Sequence, residues 1–331
     1  MQKNKKLTMS SAAKATLLTT SLFTTLLLTA SISKPALAEA FCQTLPQKAK
    51  QDLSKIKFTK VLELKPLTPG FAVLEGPVWM GDSLWMSHIG MPSDKNPNPA
   101  DIIAYRDGKV STVKKGYGAN GLSFNAGGEL VAARHLDGTI TRVDDGKVLA
   151  AKYAKKRFNS PNDLVISAAG DIYFSDPDWQ NPQPSQAKQL MYHVSTSGKI
   201  TGFGSVMEKP NGVMLSKDET SLYTGGVNGM FKYALKPDGS VIDKPQPVAK
   251  AAIPEGVDGM SRDCAGNLYV TAADKLHILA AYSDKVLASY PIPKATNVAF
   301  GGKNLSTIYV TTLGEKPSLW QANSAIPGLP Y

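Results

Sequence analysis

Six short motifs each place one side chain with a carboxylate or amide oxygen directly before a strand-like apolar run. The six residues are Glu75 (EGPVW), Asn120 (NGLSF), Asn162 (PNDLV), Asn211 (PNGVML), Asp258 (DGMSRD) and Asn297 (TNVAF). A single Asn or Asp at a strand end is usually structural, because its side chain hydrogen-bonds the local backbone. Six at the same position in successive motifs instead suggest a set of hard oxygen ligands. Such ligands favour Ca²⁺, with Mg²⁺, Mn²⁺ or Zn²⁺ as other divalent candidates.

A second pattern follows each motif after nine to eleven residues. Each marker strand begins with an aliphatic residue, which is followed by an aromatic residue or Val and then by another strand former. The aliphatic positions are 84, 130, 172, 222, 268 and 308. Units of about 40–50 residues, rich in strands and in Gly, Asn and Asp turns, are typical of four-stranded propeller blades. Helical apolar spacing is almost absent from the same region. The sequence therefore predicts an all-β fold, a six-bladed β-propeller.

The two ends of the repeat region predict how the propeller closes. The strand-like segment FTKVLELKPL precedes the first unit, and only a short strand, Ser318 to Gln321, follows the last marker strand. An N-terminal strand that completes the last blade would remove an open sheet edge.

The first strand of each blade in a propeller lines the central channel. The six polar residues would then form one ring around the axis, called the axial ring below. Buried oxygens without partners are unfavourable, and two nearby carboxylates repel each other. A divalent cation at the centre of the ring would resolve both difficulties.

The N-terminus predicts export. Three lysines among the first six residues precede the apolar Leu17–Leu28 stretch, and Ala36-Leu37-Ala38 has the small-x-small pattern of a cleavage site. We expect a signal peptide over 1–38, since the apolar part is short and Thr-rich for a membrane anchor. The mature protein would be periplasmic or secreted, with an N-terminal extension over 39–56 and the propeller domain over 57–331.

Charge and cysteine content limit the partners. Removal of residues 1–38, which carry five Lys and no acid, lowers the formal net charge from +10 to +5. The remaining charge is scattered, so neither nucleic-acid binding nor membrane association of the mature chain is expected. Cys42 and Cys264 are permitted to form a disulfide in an exported protein, and the sequence leaves that pairing open. It does not indicate the oligomeric state.

Several motifs together resemble the gluconolactonase/regucalcin (senescence marker protein) family. These are EGPVW, NSPNDLV, DIYFSDP, KPNGVML, DGMSRDCAGNLYV and TNVAFGGKN, in this order, with the ending IPGLP. The resemblance covers about 70–330. It implies a six-bladed propeller with Ca²⁺ or another divalent ion at its axis, and hydrolysis of sugar lactones. Related members hydrolyse organophosphates.

The resemblance also implies roles for ring residues. Glu75, Asn211 and Asp258 match metal ligands of the family. Asn162 matches a residue that binds substrate or completes the metal site. Asp163, beside it, would hold the ligand residues in position without binding the ion itself.

Three further site residues are predicted with less help from the family. Asn120 is expected to contact the substrate, and Asn297 to support the ligands; both are placed by their spacing. His88, in LWMSHIG, stands where the family often has an aspartate, and it is also a candidate for substrate binding.

The expected reaction is metal-dependent hydrolysis of a small-molecule sugar lactone or similar ester, in which a polarised carbonyl is attacked by water. Asp258 is the leading candidate for the general base and Glu75 the second, although the sequence does not separate a base from a pure ligand. The alternatives are a non-catalytic propeller that binds a partner and holds a structural Ca²⁺, and an organophosphate hydrolase.

Overall fold

A computed structural model describes residues 41–43, 52–96, 99–125, 127–181 and 183–329. The predicted signal peptide lies outside these residues. The described part consists almost entirely of β-strands and turns, with two 3₁₀ helices at Leu53–Lys55 and Lys303–Leu305. Within the described ranges, no helix has the length and apolar character needed to cross a membrane.

Twenty-six strands are formed by the described residues. In chain order they are β1 (Thr59–Glu63), β2 (Ala72–Trp79), β3 (Leu84–Gly90), β4 (Ala100–Arg106), β5 (Lys109–Lys114), β6 (Ala119–Phe124), β7 (Leu130–Arg134), β8 (Thr139–Arg142), β9 (Val148–Ala150), β10 (Lys152–Tyr153), β11 (Lys156–Arg157), β12 (Leu164–Ile166), β13 (Ile172–Asp176), β14 (Leu190–Val194), β15 (Ile200–Phe203), β16 (Val213–Leu215), β17 (Ser221–Gly226), β18 (Gly229–Leu235), β19 (Val241–Val248), β20 (Val257–Arg262), β21 (Leu268–Ala272), β22 (Lys275–Leu279), β23 (Val286–Pro291), β24 (Ala295–Gly301), β25 (Thr307–Gly314) and β26 (Ser318–Asn323).

The strands form a propeller-like arrangement of antiparallel sheets. Four sheets each contain four strands that are consecutive in the chain: β6–β9, β12–β15, β16–β19 and β20–β23. An eight-stranded sheet has the order β1-β26-β25-β2-β3-β4-β5, with β24 also paired to β25. The strands β2, β6, β12, β16, β20 and β24 contact one another in this order, and β24 contacts β2. These six strands therefore surround a common axis.

The predicted closure by an N-terminal strand is confirmed. β1 pairs with β26 in antiparallel register, with Thr59 opposite Gln321 and Glu63 opposite Ser318. The first described strand of the chain thus covers the edge that the last strand would otherwise leave open.

The marker strands are the second strands of their units, as the repeat predicts, and they are buried between neighbouring sheets. In β13 every residue is buried. Phe174 of this strand meets the ring of Phe158 edge-on at a centroid distance of 4.9 Å, and Phe158 also lies 4.9 Å from Tyr192. Such aromatic contacts fill the space between sheets, which explains the apolar and aromatic repeat in the sequence.

Glycines allow the first strands to approach one another closely. The amide of Gly121 donates a 2.7 Å hydrogen bond to the carbonyl of Asn162 in the next sheet. A Cβ atom on Gly212 would lie only 1.8 Å from the carbonyl oxygen of Asp258. The residue that follows an axial-ring residue must therefore be glycine at this contact, because no side chain fits between the strands.

A disulfide joins Cys42 to Cys264, 222 residues apart, and resolves the pairing that the sequence leaves open. Cys264 lies in the turn between β20 and β21, and its amide donates to the carbonyl of Pro327 at 2.8 Å. One turn therefore holds both the N-terminal segment and the C-terminal segment of the described chain.

We predict that removal of this disulfide lowers the free energy of unfolding by about 2–5 kcal/mol, because the cross-link restricts the unfolded chain. Urea unfolding of the wild type, with and without reductant, measures the change. The Cys42→Ala/Cys264→Ala double variant serves as the control, since its midpoint should match the reduced wild type and not respond to reductant. A wild-type midpoint that is unchanged by full reduction would contradict the prediction.

Candidate functional site

Local irregularities in the first strands position the axial ring. The pairing register shifts between Glu75 and Val78 in β2, and similar shifts occur at the ring positions of β6, β20 and β24. The other two ring residues, Asn162 and Asn211, lie two residues before β12 and β16. The prediction that every ring residue precedes its strand is therefore wrong for four of them, which lie within longer strands at β-bulges. A bulge re-aims one side chain without ending the strand.

Four oxygen atoms of the axial ring are buried and have no hydrogen-bond partner among the described residues. They are the Oδ1 atoms of Asn120, Asn162, Asn211 and Asp258. Most buried polar atoms in folded proteins have a partner, and leaving one without a partner costs free energy. The ring thus collects unsatisfied acceptors from four separate sheets.

Buried carboxylates accompany these oxygens. Glu75 Oε2 accepts from Asn297 Nδ2 at 2.9 Å and from the amide of Gly76 at 2.9 Å. Asn297 Nδ2 also lies 3.4 Å from Asp163 Oδ2. Burial and the charge of Asp163 raise the pKa of Glu75 to about 8, and burial raises the pKa of Asp163 to about 7. Burial, with the charges of Glu75 and Asp163, holds the pKa of Asp258 well above its usual value.

This donor set fits a hard divalent cation. The donors are carboxylate and amide oxygens, which Ca²⁺ accepts in a flexible geometry. A positive ion at this point would offset the mutual repulsion of the three carboxylates. In the described ranges, no three His, Cys, Asp or Glu side chains form a metal cluster by themselves. The amide oxygens of the axial ring are therefore essential to this fit.

His88 lies beside the ring, in β3. It pairs across the sheet with Leu74, the neighbour of Glu75. Its Nε2 atom is buried and lacks a partner in the described part of the chain. Burial lowers the pKa of His88, against the opposing charge of Asp101, so the imidazole is neutral near pH 7. The predicted site residues Asn120, Asp163 and Asn297 thus lie in or directly beside the axial ring, whereas His88 lies one strand away, opposite the neighbour of Glu75.

Four more polar atoms at the same end of the sheets are buried without a partner in the described ranges. They are Tyr117 OH, His135 Nδ1, Asn159 Nδ2 and Gln180 Oε1. None of them is among the site residues predicted from the sequence. A usable signal exists for two of them, because Tyr117 and Asn159 each stand three residues before a ring asparagine.

This chain is similar in sequence to a described protein family and to proteins named as sugar lactonases. The family described as SMP-30/Gluconolactonase/LRE-like region matches residues 73–314. The chain is 27% identical over 268 residues to a gluconolactonase of Zymomonas mobilis subsp. mobilis, covering 72% of this chain and 75% of that protein. It is 26% identical over 250 residues to a pentonolactonase of Haloferax volcanii, covering 72% and 81%.

A solved structure has the same fold. The gluconolactonase of Xanthomonas campestris superimposes with a TM-score of 0.69 and 24% sequence identity, covering 83% of this chain and 91% of that chain. The family match covers all six ring positions. The chain therefore belongs to the SMP-30/Gluconolactonase/LRE-like family.

Proposed function

We propose that this protein is a metal-dependent hydrolase that opens a sugar lactone, with Ca²⁺ or another divalent cation held by the axial ring. The observation that carries the proposal is the set of four unpartnered ring oxygens, one of them on Asp258, together with the buried carboxylates of Glu75 and Asp163. The activities in the names of two relatives, gluconolactonase and pentonolactonase, support a lactone as the substrate.

We also propose that the propeller has six blades. In this interpretation the eight-stranded sheet consists of two blades, β2–β5 and β24–β26 with β1. They are joined only by the short pairing of Ala72 with Gly314 and Val73 with Leu313. Each of the six blades then contributes one residue to the axial ring.

Glu75, Asn162, Asn211 and Asp258 are the residues that would hold the cation. When bound, a divalent cation polarises the carbonyl of a lactone and offsets the negative charge that develops on its oxygen. Asn297 holds Glu75 in place through the 2.9 Å hydrogen bond to Oε2.

We assign Asp258 as the general base. Asn211 donates a hydrogen bond to its carboxylate, while Oδ1 is left without a protein partner. In its ionised form the carboxylate accepts a proton from the water that attacks the carbonyl carbon. The proton then passes to the ring oxygen of the lactone as the C–O bond breaks, which yields a hydroxy acid. Asn120 and His88 border this point and orient the substrate.

We also propose that the protein is exported. The Cys42–Cys264 disulfide is of the kind that persists in oxidising compartments. The signal-peptide pattern over 1–38 supports the same location.

We predict that the purified mature protein hydrolyses aldonolactones and that EDTA abolishes the hydrolysis. Activity should return when excess Ca²⁺ is added, because the ring supplies only oxygen ligands. A pH-stat assay with five- and six-membered lactones measures the rate. If Ca²⁺ raises the thermal stability but no lactone is hydrolysed, the binding-module alternative is favoured. If EDTA leaves the rate of hydrolysis unchanged, the reaction does not need a metal.

We predict that Asp258→Asn lowers kcat by about 10²–10⁴-fold, the usual contribution of a general base. The lost rate should not return at high Ca²⁺ concentration, since an asparagine keeps one oxygen that can bind the cation but cannot take up a proton. Asp284→Asn is the matched control and should keep the wild-type rate, because Asp284 is exposed in the turn between β22 and β23. Recovery of the Asp258→Asn rate by added Ca²⁺ would make Asp258 a ligand only.

We predict that the metal-free protein becomes less stable as the pH rises from about 5 to 8. The folded pKa values of Glu75, about 8, and of Asp163, about 7, lie above the ordinary values of 4.5 and 3.8. In this window the folded state binds more protons than the unfolded state, so the free energy of unfolding falls as the pH rises. Stabilisation by Ca²⁺ should grow over the same window, because deprotonated ligands bind the cation better.

Thermal unfolding at fixed ionic strength, with EDTA or with Ca²⁺, measures this dependence. Glu75→Gln is the informative variant, since it removes one of the raised carboxyl groups and should flatten the pH dependence of the metal-free protein. A metal-free wild type whose stability increases steadily from pH 5 to 8 would contradict the prediction.

A further inference from the structure

A cavity of about 550 Å³ lies between the six first strands, on the side of the axial ring where those strands end. Asp163 and Asn297 line its inner end, and Ala168 and Lys217, in turns between first and second strands, line its outer end. Tyr282, which is 55% exposed, also lines it, so the cavity reaches the surface. We call this cavity the lower channel.

The lower channel is separate from the proposed reaction site. The four residues that carry the unpartnered ring oxygens are not among the residues that line it. A cation bound by those oxygens would therefore leave the lower channel free for another occupant.

The wall of the lower channel is largely apolar, with its charged groups at the outer end. Three apolar side chains of the wall, Phe124, Ile166 and Met214, are only half-buried although they belong to the innermost strands. Covering such surface with an apolar ligand is favourable, and a cavity of this size with few polar groups is typical of a small-molecule site. The apolar wall includes Phe124, Leu164, Ile166, Met214, Met260 and Val298.

Arg262, at the end of β20, is a wall residue without a counter-ion. Its Nη1 atom donates to the carbonyl of Leu215 at 2.7 Å and to that of Ser216, both in the neighbouring sheet. Among the described residues, no carboxylate forms an ion pair with Arg262 and no atom accepts a hydrogen bond from its Nε or Nη2. A guanidinium with two free donors on one edge matches a carboxylate.

The other charged groups at the outer end already have partners. Lys217 Nζ donates to a backbone carbonyl at 2.7 Å. Both carboxylate oxygens of Glu219 accept from the amide of Ala168 at 3.1 Å, and Asp218 Oδ1 accepts from the hydroxyls of a serine and a threonine. Two cations and two anions balance here, so a ligand with a single negative charge is accommodated and one with several is not.

The inner end does not favour a second negative group. Asp163 lies there, and like charges repel. The charged head of a ligand therefore belongs at the outer end beside Arg262, with its apolar part pointing inward. The four residues from Asp258 to Arg262 span about 13 Å of extended strand, which gives the approximate depth available.

We propose that the lower channel binds an amphipathic monocarboxylate, such as a medium-chain fatty acid. The carboxylate pairs with the free edge of Arg262, and the alkyl chain lies along the apolar wall toward the axial ring. This is a second ligand site, which does not depend on the proposed lactonase function.

Calorimetric titration of the mature protein with octanoate tests the proposal. EDTA is present, so that the carboxylate of the probe has no cation to bind at the axial ring. We expect saturable binding of one octanoate per chain, and at least about 10-fold weaker binding of octan-1-ol, which has the same chain but no charge. Absence of saturable octanoate binding, or equal binding of octan-1-ol, would overturn the proposal.

Arg262→Gln should weaken octanoate binding about 10–100-fold, because it removes a charge-assisted pair of hydrogen bonds. Arg106→Gln is the matched control and should keep the wild-type affinity. Arg106 is an exposed arginine that pairs with Asp82 and does not line the lower channel. Wild-type affinity in a folded Arg262→Gln variant would overturn the role of Arg262 and with it the anionic ligand class.

A second pair of variants tests the place of binding and keeps the proposal testable if Arg262→Gln does not fold. Ala168→Trp puts a large side chain at the outer end of the lower channel and should abolish octanoate binding. Ala169→Trp is the control, since Ala169 is exposed in the same turn and does not line the channel. Equal octanoate binding by these two variants would overturn the proposal. No lactone is used in these titrations, so their outcome is independent of the proposed lactonase activity.

Discussion

The structure depends on keeping three carboxylates together in a buried space at the axis. Glu75, Asp163 and Asp258 come from different sheets. Burial raises the pKa of all three, and the charge of Asp163 adds to the rise at Glu75 and at Asp258. Asn297 spans two of them through a single amide nitrogen. Three buried carboxylates are less favourable than an apolar core at this position, and this supports the proposal that a cation binds there.

The rest of the inner layer serves to hold these oxygens in place. Hydroxyl groups link one sheet to the next: Ser87 Oγ donates to the carbonyl of Asn120 at 2.7 Å, and Thr271 Oγ1 donates to the carbonyl of Thr296 at 2.6 Å. Thr296 Oγ1 donates to the carbonyl of Leu74 at 2.7 Å and so connects the two ends of the strand series. Because these bonds fix backbone next to ring residues, a shift of one sheet would be transmitted directly to the ligands.

Much of the fold and the axial ring could be predicted from the sequence because both repeat. The marker strands recur with one apolar pattern, and the ring residues keep a nearly constant distance from them, so Asn120 and Asn297 could be placed by spacing alone. The N-terminal strand was predictable from the incomplete last unit. The bulges at four ring positions were not, since they depend on how Gly76, Gly121 and Gly259 let neighbouring strands approach.

Features that do not repeat could not be predicted from the sequence, for a physical reason. Cys42 and Cys264 are far apart in the chain, and only the folded path of the N-terminal segment brings them together. His135 and Gln180 lie outside the repeating strand pattern, where polar residues are common and no periodicity marks the buried ones. Tyr117 and Asn159 share a spacing of three residues from a ring asparagine, but that spacing does not indicate burial. Their significance appears only when burial and hydrogen-bond partners are known.

This contrast bears on the proposed function. The ring residues lie in or just before the first strands, where close packing between sheets leaves little freedom to vary. These residues would both bind the cation and provide the base. A substitution that removed a ring oxygen would therefore impair the reaction for every lactone, because the reacting ester group is the same in each.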